Sequence, residues 1–97
     1  MKRSDTQPIS HVLEVFFKEN PQLARKLAET RLMNAWEKML GQAIMKYTSQ
    51  LFIKNQCLYV KINSSVVKSE LMMYREKLIQ NLNEEAGAQV ITNINFL

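Results

Sequence analysis

The stretch LFIKNQCLYVKINSS, Leu51 to Ser65, decides how this chain folds. Two short apolar runs flank Lys54-Asn55-Gln56, the pattern of a β-hairpin. Leu51 and Ile53 share one face of the first strand, and Leu58, Val60 and Ile62 share one face of the second. Phe52, Tyr59 and Lys61 then point the other way, because side chains alternate along a strand. The turn lacks the glycine of the commonest two-residue hairpins, which leaves its geometry open. The lysines here have no acidic neighbours. Between Glu37 and Glu70 there is no acid at all, while Lys38, Lys46, Lys54, Lys61 and Lys68 fall in the gap.

Around this stretch the chain reads as one small globular domain. Ninety-seven residues suffice for a single core, and a hydrophobic share of 46% with 23% charged residues excludes a disordered chain. The formal charge of +4 is modest, but the acids lie toward both ends and the middle is purely basic, so an anionic partner is indicated. The lone cysteine, Cys57, cannot form an intramolecular disulfide, and with a single histidine, His11, it cannot build a usual zinc site. The first ten residues lack the apolar run of a signal peptide, and no segment is long and apolar enough to span a bilayer. A reducing cytoplasm is the expected compartment. The expected organisation is a flexible N-terminus over residues 1–7 and one domain over 8–97.

Upstream, PISHVLEVFFKEN predicts a first helix, with Pro8 in its first turn and Ile9, Leu13 and Phe16 or Phe17 at helical spacing. Asn20-Pro21 ends it and starts the next, Asn20 serving as N-cap. The second helix buries Ala28, Leu32, Ala35 or Trp36, and Met39, with a candidate break near Thr30 and Gly41 closing it in a left-handed conformation. QAIMKYTSQ adds a helical turn or two before the hairpin. Downstream, Ser64 or Ser65 caps a long helix whose stripe is Val67, Leu71, Tyr74, Leu78 and Leu82, ended by Gly87. Val90, Thr92, Ile94 and Phe96 then alternate as a last strand. The order α-α-β-β-α-β predicts an α+β fold of two layers, one sheet against helices.

Catalytic chemistry has little to work with. His11 lies in an amphipathic helix, Cys57 has no histidine or carboxylate near it in sequence, and Glu84-Glu85 ends a helix. No phosphate-binding glycine loop or metal-ligand spacing is present, so neither an enzyme nor a bound metal or cofactor is expected. Trp36, among Leu32, Met39 and Leu40, reads as core. Phe52 and Tyr59 have two readings. They cover each other across the hairpin as a cross-strand pair, or they stack on bases while lysines track phosphates. The lysines likewise either discourage edge-to-edge pairing or neutralise phosphates, and the missing counter-charge favours the second. Met72 and Met73 are adjacent, so one of them reaches the surface.

Several segments together resemble a known family. AWEKMLGQAIMKYT carries Trp36, Gly41, Ala43-Ile44 and Tyr47-Thr48; CLYVKINSSVVKSEL carries Leu58-Tyr59-Val60, Ser64-Ser65 and Glu70-Leu71; LIQNLNEEAG and ITNINF follow. From about Ile9 onward the chain resembles the bacterial domain family that includes DciA, the ancestral loader of the replicative helicase, in the short form found in Bacteroidetes. The resemblance implies a KH-like fold, binding of DNA with preference for single strands or forks, and contact with the hexameric helicase DnaB. Two family-level expectations are unmet: the sequence has no Gly-x-x-Gly loop of the kind KH modules use to clamp a backbone, and no zinc ligands. Longer members add a C-terminal tail, whereas this chain stops at Leu97, at the end of the expected last strand. The expected function is non-enzymatic nucleic-acid binding in replication. In that reading Lys46, Lys54, Lys61 and Lys68 neutralise phosphates, Phe52 and Tyr59 stack on bases, and Lys38, Arg75 and Lys77 extend the patch. The rival is a protein-interaction adaptor or homodimer pairing through the open sheet face, with the lysines serving solubility.

Overall fold

The hairpin turn closes without glycine. Asn55 and Gln56 both take positive φ, 52° and 63°, the mark of the mirror-image turn whose twist matches that of the strands. Asn tolerates this conformation readily; Gln56 does not, and its carbonyl is held from a distance, accepting hydrogen bonds from the Thr92 backbone N–H (2.8 Å) and Thr92 Oγ1 (3.4 Å). In this computed structural model, which describes the backbone of residues 7–97 and side chains from Val12 onward, the turn joins β1 (Thr48–Lys54) to β2 (Cys57–Ile62). Residues 1–6 and the side chains of Ile9 and His11 lie outside that description.

The strands β1 and β2 are antiparallel, with Phe52 opposite Tyr59 and Ile53 opposite Leu58; the register slips once, between Thr48 and Gln50. A third strand, β3 (Asn93–Phe96), runs parallel to β2 on its other edge, giving the order β1-β2-β3. The chain reaches β3 through two helices, α3 (Ser65–Met73) and α4 (Arg75–Ala86), as a parallel return requires. The inner face of the sheet presents Leu58, Val60, Ile62, Ile94 and Phe96. Against it pack Leu32, Ala35 and Trp36 of α2 (Pro21–Met45), Leu71 of α3, and Leu78, Leu82 and Ala86 of α4. Each fully buried aliphatic or aromatic side chain contributes about 1.5–3 kcal/mol. Trp36 is core, as expected, and its indole N–H finds Thr48 Oγ1 at 3.4 Å, while that hydroxyl donates to the Ile44 carbonyl at 3.0 Å. The α+β order expected from sequence holds, with the third helix in two pieces.

Other local expectations are corrected. Asn20 does not cap α2 with its side chain. Its Nδ2 donates instead to the Phe16 carbonyl (2.8 Å), closing α1 (Gln7–Glu19), while its own carbonyl accepts from Leu23 and Ala24. Thr30 breaks nothing, because its hydroxyl donates to the Lys26 carbonyl within a continuing helix. Gly41 has positive φ but extended ψ (79°, 175°), so the chain kinks there and then resumes a helical turn to Met45. That region is open essentially to glycine alone. Gly87, by contrast, ends α4 in the left-handed conformation expected of it, and Ser64 caps α3 by accepting from the Val67 N–H at 3.3 Å.

The helix expected from Ser64 to Gly87 bends at Tyr74 (φ −107°, ψ 20°), which is 57% exposed and leaves the buried stripe to Leu71, Leu78, Leu82 and Ala86. A straight helix over that span would run ~33 Å beside strands of ~20 Å, so bending keeps both halves over the sheet. The last strand is also shorter than its alternation predicts. Ile91 is fully buried and Thr92 exposed, because residues 90–91 are clasped by one side chain before the strand begins. Asn83 of α4 accepts from the N–H groups of Val90 (2.9 Å) and Ile91 (3.1 Å) and donates to the Ile91 carbonyl (2.9 Å).

Asn83→Ala is expected to destabilise the fold by about 2–3 kcal/mol in urea unfolding, and Asn83→Asp by less, since it keeps both acceptor bonds. A loss below about 0.5 kcal/mol for the alanine variant would show that the clasp is incidental. Neither glycine would clash with an added Cβ, so Gly41→Ala should cost more than Gly87→Ala purely through backbone conformation, by about 1 kcal/mol.

Candidate functional site

Burying Leu58, Val60 and Ile62 forces Cys57, Tyr59 and Lys61 onto the opposite face of β2. The strand registers complete that face in rows. Lys54, Cys57 and Asn93 form one, and Phe52, Tyr59 and Asn95 the next; Gln50 and Lys61 form the third. The helices that pack on the sheet bury its inner side, and this outer side keeps Phe52 41% exposed, with Lys54, Lys61, Asn93 and Asn95 exposed around it.

The rings of Phe52 and Tyr59 stack on each other, centroids 4.9 Å apart and planes 9° from parallel. The cross-strand pair anticipated from sequence is therefore formed, and it occupies one face of each ring. Flanking it along the strands, Lys54 and Lys61 find no carboxylate partner among the described residues. Lys46 stands exposed at the C-cap of α2, where the chain turns into β1. Lys38 lies elsewhere: it bridges α2 to Glu85 of α4 at 3.4 Å, so the acid-free gap in sequence is partly answered in space. With both side chains largely exposed (76% and 44%), that bridge adds little stability. Lys68 on α3, and Arg75 and Lys77 on α4, belong to the helical layer. The Arg75 Nε is buried without a hydrogen-bond partner, and the residue borders a small cleft with Ile79, Thr92 and Asn93.

The structure thus unites Lys54, Lys61, Phe52 and Tyr59 on one face, with Lys46 at its approach, and leaves Lys38, Lys68, Arg75 and Lys77 on the helices. It adds residues that sequence reading missed. Asn93 and Asn95 complete the face, and only the parallel register of β3 shows it. Both Met72 (44%) and Met73 (73%) are exposed beside Tyr74 at the α3–α4 bend. A cleft of about 350 Å³ between α2 and the hairpin turn carries Arg25 and Glu29 as its charged groups. Among the described residues no group of three His, Cys, Asp or Glu side chains could hold a metal ion, and no helix is long and apolar enough to cross a membrane.

Fold and face together define a small α+β module that offers one open, basic, aromatic sheet surface. The chain belongs to the DciA family, whose model, described as Dna[CI] antecedent, matches residues 8–96. This is a replication-associated family of helicase-loader type, linked to the replicative helicase DnaB. A search of curated proteins found no match.

The ring pair is expected to behave as one structural unit. A double-mutant cycle over Phe52→Ala and Tyr59→Ala, read by chemical unfolding, should give a coupling of about 0.5–1 kcal/mol; additive losses would show that the rings do not support each other.

Proposed function

We propose that this protein binds single-stranded or forked DNA through the outer face of its sheet and acts as a replicative-helicase-associated factor, in keeping with its family. The observation that carries this reading is the coincidence, on the sheet face not packed by helices, of two exposed lysines free of carboxylates with a stacked aromatic pair, Phe52 exposed and Tyr59 half-buried. Lys54 and Lys61 neutralise phosphates, with Lys46 at the entrance, and the rings supply an apolar surface for bases. Gly41 and Gly87 are the only glycines, so no Gly-x-x-Gly clamp exists and the grip on the backbone falls to these side chains. Lys38, held toward Glu85 on the helical layer, is a spectator in this reading, and Lys68, Arg75 and Lys77 contribute at most from the rim.

Binding should weaken steeply with salt, because each neutralised phosphate releases a counterion. Replacing Lys54 and Lys61 together by Gln should lower the log–log salt slope on single-stranded DNA by about 1.4, at ~0.7 per phosphate contact. Lys38→Gln should leave it unchanged. The pair Lys54→Glu with Lys61→Glu should abolish binding while the circular dichroism spectrum is retained. Salt-insensitive binding, or a slope unmoved by the Gln pair, would remove these lysines from the interface.

One observation favours a second reading. The rings already satisfy each other, so the patch needs no base to be stable and also suits a protein partner or a second copy. Size-exclusion chromatography with light scattering separates the two: a monomer that shifts only with oligonucleotide supports the first, and a dimer indifferent to it supports the second.

A further inference from the structure

Building on the reading of the outer face just given, we propose that Tyr59 and Asn95 form a seat for one unpaired nucleobase, Tyr59 stacking on its plane and the Asn95 carboxamide bonding its pairing edge. Two rings lying edge to edge in one plane could not bring their centroids to 4.9 Å, so Phe52 and Tyr59 overlap face to face. That distance also matches the ~4.8 Å between neighbouring strands. The rings therefore stand upright on the sheet and stack across it, from β1 to β2. Phe52 covers one face of the half-buried Tyr59, and in that arrangement the other face turns toward β3. The β3 residue in register with Tyr59 is Asn95, which is exposed and projects on the same side.

The other asparagines near β3 already use their amide oxygens within the fold. Asn83 holds the preceding loop, and Asn93 Oδ1 accepts from the Ile94 N–H at 2.9 Å. Asn95 makes no side-chain hydrogen bond with the described residues, so its donor and acceptor are available side by side. An unpaired base offers a matching donor and acceptor along its Watson–Crick edge, and a duplex hides that edge. The rows of Lys54 and of Lys61 lie ~7 Å to either side along the strands, where the phosphates flanking a seated base would pass. The lysines hold a polyanion of any kind. The Tyr59–Asn95 pair distinguishes one that carries unpaired bases. Phe52 serves as the backing that keeps Tyr59 upright.

The test uses the full chain and fluorescence anisotropy on three probes of equal length: single-stranded DNA, an abasic deoxyribose-phosphate strand, and duplex DNA. The wild-type protein should prefer the base-bearing single strand over the abasic strand by about tenfold, the size of one stacking contact. Asn95→Ala should lower that preference severalfold, through loss of the amide hydrogen bonds to the base edge, while leaving affinity for the abasic strand and the salt slope unchanged. Asn95→Thr, a good strand former without the carboxamide, should do the same and guards against a disturbed β3. Tyr59→Leu should also abolish the preference. If the wild type binds base-bearing and abasic strands equally, and the lysine variants still abolish binding, the base seat is wrong and the lysine face stands. If Asn95→Ala weakens both strands alike, or neither, the seat is likewise overturned. Absence of binding to all three probes overturns the seat and the face together.

Discussion

The constraint on which the rest depends is the position of β2, hydrogen-bonded on both edges and buried on one face only. Leu58 and Val60 are wholly enclosed, and the two-residue period of a strand then leaves Tyr59 and Lys61 no choice of side. A shift of register by one residue would send a lysine and a tyrosine into the core and two aliphatic residues into water. The energetic demand for a dry core therefore also composes the opposite surface. No separate force is needed to bring the lysines and rings together, because excluding the wrong residues from the interior assembles them.

How much of this was readable in the chain depended on the range of the interactions involved. Alternation over Leu51–Ile62 reported the hairpin and its two faces, since neighbouring side chains carry that signal. Trp36 was legible as core for the same local reason. Three features escaped because a distant residue decides them. The long helix reads as continuous from Ser65 onward, yet it bends at Tyr74 to stay over short strands. Val90 and Thr92 fit the alternation of a strand, yet Asn83 clasps their segment into a loop. Lys38 sits in an acid-free stretch of sequence, yet Glu85 meets it from another helix. The same limit applies to the face itself. Phe52, Tyr59, Lys54 and Lys61 could be grouped from the hairpin alone, whereas Asn93 and Asn95 required knowing that β3 pairs parallel to β2 and in which register.

The family assignment and the physical reading bear on different questions. Membership in the DciA family ties the domain to a replication-associated family of helicase-loader type. The geometry specifies the order of side chains across the outer face: Phe52, Tyr59 and Asn95 in one row, with Lys54 and Lys61 in the rows before and after it. Lys38 differs from this group in having Glu85 beside it, a distinction that charge counting along the sequence does not make.

The Gln56 turn and the Asn83 clasp also bear on the order in which the molecule assembles. Lys54 and Cys57 pair across three positions of chain, whereas Cys57 and Asn93 pair across 36. Entropy therefore favours early closure of the hairpin and late capture of β3. Until that capture, one edge of β2 stands open and its apolar face is only partly roofed. The two contacts that fasten the segment entering β3, one to the hairpin turn and one to α4, meet at the site where this final joining takes place. They act as the catch on the later of the sheet's two joinings.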